Sequence, residues 1–336
     1  MKIPHFQVST IAVIFPLILG LTFSSVISPW GIGNIEGGTS SDKTTAVDSD
    51  PIKITETVQN ELTIPNDPFY SRQWALDKMV APNLWGITSD HPEILIAILD
   101  TGIDRNHEDL IGKVVAEVNF TDSPSVNDIN GHGTHVAGII AAINNNGIGI
   151  TGLVLSCRLL NVKVANDYGF CDSESVARGI IWAVDNGAKI INISLEIRYP
   201  SLTLEEAVNY AWNHDVLIIA AAGNQGNKNA VYPAYYENCI AVAAFQPDGT
   251  LAPLSNYGDW VDVAGPGLNI FSTLPGNLYG YETGTSFATA YITGLAAIFS
   301  YTVNDTNGNS HINDEIRCAI ERSFSNETIL SKFKIE

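Results

Sequence analysis

From residue 64 to the C-terminus, short continuously apolar runs alternate with longer stretches whose apolar positions recur at helical spacing. The runs Ile94–Leu99, Leu159–Val164, Ile190–Ile193, Leu217–Ala221 and Ile240–Ala244 carry little polar interruption. A strand of that kind is buried on both faces, as in a parallel sheet covered by helices. The spacing predicts helices over Gly133–Ile143, Ser173–Asn186, Leu204–Asn213, Ser286–Tyr301 and Asn313–Arg322. Such alternation predicts an α/β fold: a doubly wound, mostly parallel sheet with helices on both faces. In such a fold functional side chains gather where strands end and helices begin.

Upstream, an apolar stretch from Ile11 to Ile27 follows Lys2 and is broken by Pro16 and Gly20. It falls short of the ~20 apolar residues of a membrane span. Residues 1–28 read as a secretory signal peptide, with Val26–Ser28 as a cleavage point, or as a retained membrane anchor. Residues 29–63 are polar and rich in Gly, Ser, Thr and Asp, which makes them a linker or a short pro-segment. They are too few to bury a core of their own. The folded domain then spans 64–336, and either reading of the N-terminus makes it secreted or extracytoplasmic, tethered to the membrane in the second case.

Charge narrows the partners. The chain has 17 Lys and Arg against 36 Asp and Glu, a net charge of −19. Such a surface repels nucleic acid and anionic membranes, so membrane contact is expected only through an N-terminal anchor. The four cysteines, at 157, 171, 239 and 318, show no metal-ligand spacing, and their three pairings stay open. Cys239 and Cys318 sit in apolar runs and read as buried free thiols.

Three segments carry the chemistry. Asp100 ends the apolar run Ile96–Leu99 and is followed by Thr101-Gly102, which holds a carboxylate at the sheet edge where the chain turns. His132 lies in Asn130-Gly-His-Gly-Thr-His135 at a helix start; a zinc pair His132/His135 is disfavoured because HExxH is lacking. Ser286 lies in Thr283-Gly-Thr-Ser-Phe-Ala-Thr-Ala290 and opens a long apolar helix. A serine hydroxyl is a poor nucleophile unless a base stands within hydrogen-bond reach and a third group orients that base.

In the order Asp, His, Ser, these segments resemble the subtilisin family (subtilases), with thermitase-like members nearest, over about Pro65 to Ser300. The resemblance implies a serine endopeptidase with Asp100, His132 and Ser286 as catalytic triad, working through an acyl-enzyme on polypeptide substrates, and a monomer. It also implies that Asn224, in Ala220-Ala-Ala-Gly-Asn-Gln-Gly226, donates to the oxyanion with the Ser286 backbone N–H. Structural Ca²⁺ is implied at Asp67, Asp109 and the loop 143–150, with Ile143, Asn146, Ile148 and Ile150 as further ligands; these are hard oxygen donors. Another segment, Asp305-Thr-Asn307-Gly-Asn309, starts like an EF-hand loop but has Ser310 where glycine belongs and Ile316 where an acid belongs, and is set aside.

Against the family pattern, Ala290 and Tyr291 replace a Pro-His pair, so the nucleophile's helix is expected to run straighter. One substrate edge reads Ser194-Leu195-Glu196 and the facing one Gly169-Phe170-Cys171, with Glu196 and Cys171 in place of glycines. A peptide adds as a strand between such edges. The alternative reading is therefore a catalytically weak subtilase-fold protein that binds or regulates through an altered cleft. By resemblance, Ala221, Gly223 and the stretch ending at Val231 line the pocket for the residue before the scissile bond. None of them is charged, so apolar or aromatic side chains are expected there, and a cleft-facing Glu196 favours Lys or Arg at a neighbouring position.

Overall fold

The computed structural model describes residues 64–88 and 91–325. The stretches expected as signal peptide or anchor (1–28) and as linker or short pro-segment (29–63) lie outside the described residues. The chain enters through a 3₁₀ turn at Tyr70–Arg72 and helices α1 (Trp74–Lys78) and α2 (Ala81–Thr88). There follow strand β1 (Ile94–Asp100), β2 (Val114–Asn119), helix α3 (His132–Ala141), β3 (Cys157–Lys163), α4 (Ser173–Asp185), β4 (Ile190–Ile193), α5 (Leu202–Asn213), β5 (Leu217–Ala221), β6 (Cys239–Phe245) and β7 (Val263–Pro266). The hairpin β8 (Ile270–Leu274) and β9 (Leu278–Glu282), then α6 (Thr285–Phe299) and α7 (Asn313–Ser325), complete the order.

Seven strands pair in the order β2-β3-β1-β4-β5-β6-β7, and every pairing is parallel. The apolar runs form the interior strands for the expected reason: β4, β5 and β6 are buried at every position. Alternate residues face two helical layers. Leu99, Val162, Ile193 and Ala220 pack into a core with Val176 and Ile180 of α4 and Leu204 and Val208 of α5. On the other face, α3 packs on β1, β3 and α6, while α6 packs on β4 to β7.

Helix boundaries follow their caps. Asp172 accepts from the Ser175 N–H at 2.8 Å and starts α4. Ser201 caps α5, so that helix begins at Leu202, two residues before the apolar period suggests. α6 runs unbroken through the buried Ala290.

Because the strands are parallel, Asp100, Lys163, Ile193 and Ala221 all end at one edge. The chain leaves β1 for β2 and β3 on one side and later returns to β4 on the other. A crevice opens at such a switch point, outside the strands' carboxyl ends. The N-termini of α3 and α6 border it.

Candidate active site

Asp100 is 1% exposed. Its Oδ1 accepts from the Thr101 N–H at 2.7 Å and lies 2.7 Å from His132 Nδ1. The imidazole approaches so closely because residue 133 is glycine. A Cβ there would stand 2.1 Å from the Gly102 carbonyl oxygen and 3.1 Å from Asp100 Oδ1. Burial pushes the His132 imidazole down. The charge and hydrogen bond of Asp100, with the charges of Glu282 and Asp128, outweigh it and hold the group up at about 9.

Ser286 sits in the first turn of α6, buried at 6% exposure. Its hydroxyl donates to the Ser194 carbonyl oxygen at 3.0 Å, and the Ser194 hydroxyl donates back to the Ser286 carbonyl at 2.9 Å. Behind this pair, Asn192 donates to Ser194 Oγ and accepts from Thr293 Oγ1, each at 2.9 Å. The chain of bonds locks α6 onto β4. Asn224 follows β5. Its Oδ1 accepts from the Thr285 N–H at 2.8 Å and the Thr285 hydroxyl at 3.1 Å. With the oxygen held, the Nδ2 hydrogens are left for a ligand.

A cleft of about 390 Å³ opens beside these groups. Asn130, His132, Asn224 and Ser286 border it, together with Gly169 and Cys171 on one edge, Ser194, Leu195 and Glu196 on the other, and Ala221 and Gly223 beneath. Both altered edge residues, Glu196 and Cys171, therefore face the cleft and leave it open. Val231 does not line it: the residue is 4% exposed and packs in the core beside α4 and α5. Burial, with the charges of Asp100, Asp172 and Glu196, pushes the Cys171 thiol up to about 12. It stays protonated near neutral pH and is a poor nucleophile there.

The chain matches the subtilase family model over residues 91–331. The chain belongs to the subtilase family. It is 43% identical over 266 residues to the thermophilic serine proteinase of Bacillus sp. (strain AK1), a match covering 79% of this chain and 65% of that protein. It is 44% identical over 261 residues to thermitase of Thermoactinomyces vulgaris, covering 77% of this chain and 91% of the relative. Subtilisin Savinase of Lederbergia lenta is 42% identical over 226 residues, which cover 67% of this chain and 82% of that protein. Residues 91–331 thus form a serine endopeptidase domain of the subtilase type.

Two residues that hold this subtilase site, Asp128 and Lys163, escaped the sequence reading. Asp128 is 4% exposed and caps α3. Its Oδ1 accepts from the Gly131 N–H at 2.8 Å and the Thr101 hydroxyl at 2.9 Å, and its Oδ2 from the Thr134 N–H at 2.8 Å. It therefore fixes β1's end and the His132 helix together. An acid just ahead of a helix start is the signal that could have found it. Lys163, fully buried, is the register partner of Asp100; it donates to the Thr101 carbonyl oxygen and pairs with Asp167 at 2.9 Å. His135 places Nε2 3.1 Å from the Ile270 carbonyl oxygen. Burial and the neighbouring His132 charge pull it down to about 3, so it is a neutral core residue.

The expected cation ligands also come together. Asp67 and Asp109 are 4% and 0% exposed. Asp67 accepts from the N–H groups of Asn145 and Asn146 at 3.0 and 3.1 Å. Asp109 accepts from Asn146 Nδ2 at 2.8 Å and from the Ile150 N–H at 2.9 Å. Ile143 donates its N–H to the Asp109 carbonyl, and Ile148 to the Asn146 side chain. Burial raises both carboxyls, and no Lys or Arg pairs with either among the described residues. Two anions desolvated without a cation are what a hard divalent ion neutralises. Among the described residues no three His, Cys, Asp or Glu side chains converge as a metal cluster; what meets at the loop is two carboxylates and the Asn146 amide. All four cysteines are free, with Cys157 and Cys239 buried and Cys171 and Cys318 half-buried. Cys318 thus departs from the expected buried thiol, since its turn of α7 is only partly covered. Among the described residues no helix is long and apolar enough to cross a membrane.

Proposed function

We propose that this chain is an exported serine endopeptidase that hydrolyses polypeptides as a monomer, with Asp100, His132 and Ser286 as triad and Asn224 as oxyanion donor. The observation that carries the reading is the 2.7 Å Asp100–His132 bond opening onto the cleft that Ser286 and Asn224 share. Rotation of the Ser286 hydroxyl away from the Ser194 carbonyl presents it to His132 Nε2. His132 takes the proton as Oγ bonds to the substrate carbonyl carbon. The oxyanion so formed lies on Asn224 Nδ2 and the Ser286 N–H. His132 then protonates the departing amine, the C–N bond breaks, and water repeats the sequence to free the acid. Asp100 holds the imidazole by Nδ1 and offsets the imidazolium charge.

Reaction with a fluorophosphonate probe tests this reading. The wild type is expected to label and the Ser286→Ala protein not to. A folded wild type that does not label would leave the binding or regulatory reading standing.

The same proposal includes structural Ca²⁺ held by Asp67, Asp109, Asn146 and the carbonyls of Ile143, Ile148 and Ile150. The ion offsets charge between the N-terminal segment and the loop after α3. At a thousandfold excess over Kd, linkage gives about 4 kcal/mol, or roughly 10 °C in Tm for a domain of this size. Calcium is expected to raise Tm and EDTA to lower it, and Asp109→Asn to remove the difference. Superimposable melting curves with calcium and with EDTA would end the assignment.

A further inference from the structure

We infer that Glu196 makes the pocket beside the scissile bond anionic, selecting lysine or arginine as the substrate residue whose carbonyl Ser286 attacks. The inference rests on the endopeptidase reading and adds its substrate class. With the attacked carbonyl held between Ser286 and Asn224, the adjoining Cα lies one bond away. Its side chain then enters the space between the edge Ser194–Glu196 and the residues Ala221 and Gly223, which line the cleft.

The uncharged run Ala221–Gly223 taken alone predicts an apolar occupant. The carboxylate of Glu196 reverses that. Its Oε1 accepts from Gln225 Nε2 at 2.6 Å. Gln225 is held in turn by Asn256, which accepts from the Gln225 N–H and donates to its Oε1, both at 3.0 Å. Asn256 is fully buried, so this relay is anchored in the core. Glu196 Oε2 is withdrawn from solvent and has no hydrogen-bond partner among the described residues. It lies over the backbone of Gly223, where an added Cβ would stand 2.8 Å from Oε2 and 2.6 Å from Asn256 Nδ2. Gly223 also has φ +97°, so glycine is required there twice over.

Among the described residues no lysine or arginine lines the cleft. An anionic oxygen with no hydrogen-bond partner is costly to keep dry and is satisfied by an ammonium or guanidinium. An apolar side chain would cover it without pairing it, so discrimination works in both directions. The chain's net charge of −19 adds steering of cationic segments.

The test uses a series of otherwise identical peptide substrates with Arg, Lys, Phe, Leu or Glu before the scissile bond, cut by the wild-type and Glu196→Gln proteins. In the wild type kcat/KM for Arg and Lys should exceed that for Phe, and in Glu196→Gln the Arg-to-Phe ratio should fall roughly 10- to 100-fold. A second arm needs no turnover. In Ser286→Ala protein, a product-like peptide ending in Arg should bind more tightly than its Phe counterpart by calorimetry, and the additional Glu196→Gln change should remove the difference. Unchanged ratios in a wild type that labels with fluorophosphonate overturn the inference and leave the peptidase. A calorimetric preference in the Ser286→Ala protein, beside a wild type that does not label, supports the anionic pocket while the peptidase reading fails.

Discussion

In the Asp100→Asn protein, kcat falls by roughly three to four orders of magnitude while the domain stays folded. Roughly two of those orders follow from the charge on the imidazole. Its rise from 6.5 to about 9, against burial that lowers it, corresponds to at least roughly 3 kcal/mol favouring the imidazolium. That charge develops as His132 takes the Ser286 proton, so losing the carboxylate removes stabilisation from the transition state. The asparagine oxygen can still accept from Thr101 and His132, because both bonds end on the same Oδ1. Its amide then occupies the place of Oδ2, which is buried without a partner, at a cost of about 1–3 kcal/mol. The pH profile separates charge from orientation. His132 must be neutral to act as base, so wild-type kcat/KM is lost as pH falls through about 9. Without the carboxylate the imidazole titrates lower, and the acid limb of the variant should move to lower pH as its plateau drops. A limb that stays in place would mean that Asp100 does not set the His132 pKa.

Much of this was legible in the sequence for a definite reason. Strands buried on both faces have no polar face to obscure them, so β1, β4, β5 and β6 were found within a residue or two. β2 was not, because it lies at the sheet edge and only Val114 is fully buried. The hairpin β8–β9 carried its signal in Pro275-Gly276-Asn277, with Gly276 and Asn277 at φ +80° and +60°. The triad was readable because each member ends a strand or opens a helix. The supporting shell was not: the bonds of Asp128 to Thr101 and of Asn256 to Gln225 join segments 27 and 31 residues apart and leave no local pattern. Glu196 was visible as a departure, but only its place in the cleft lining, beside Gln225, decides that it faces the cleft. Ser310 shows the limit of residue-by-residue matching. It takes φ +69°, the conformation for which glycine would be chosen, and Asp305 accepts from its N–H at 2.8 Å.

Replacing Asn224 by alanine is expected to lower kcat by about 10²–10³ with little change in KM. The asparagine's oxygen is occupied by the Thr285 N–H and hydroxyl, so only its amide hydrogens are available to a substrate. A planar carbonyl oxygen gains little from them. The tetrahedral oxyanion carries a full charge and gains most, which puts the effect in kcat. Alanine also releases Thr285, whose hydroxyl accepts from the Gly223 N–H at 3.2 Å. Part of any loss could therefore come from a shifted β5 loop. Asn224→Asp separates the two effects. It keeps an oxygen acceptor for Thr285 and turns the donor into an anion facing the oxyanion, so its kcat should fall at least as far as that of alanine. If Asn224→Asp retained wild-type kcat, or if either variant raised KM alone, Asn224 would be a loop latch and the oxyanion would rest on the Ser286 N–H.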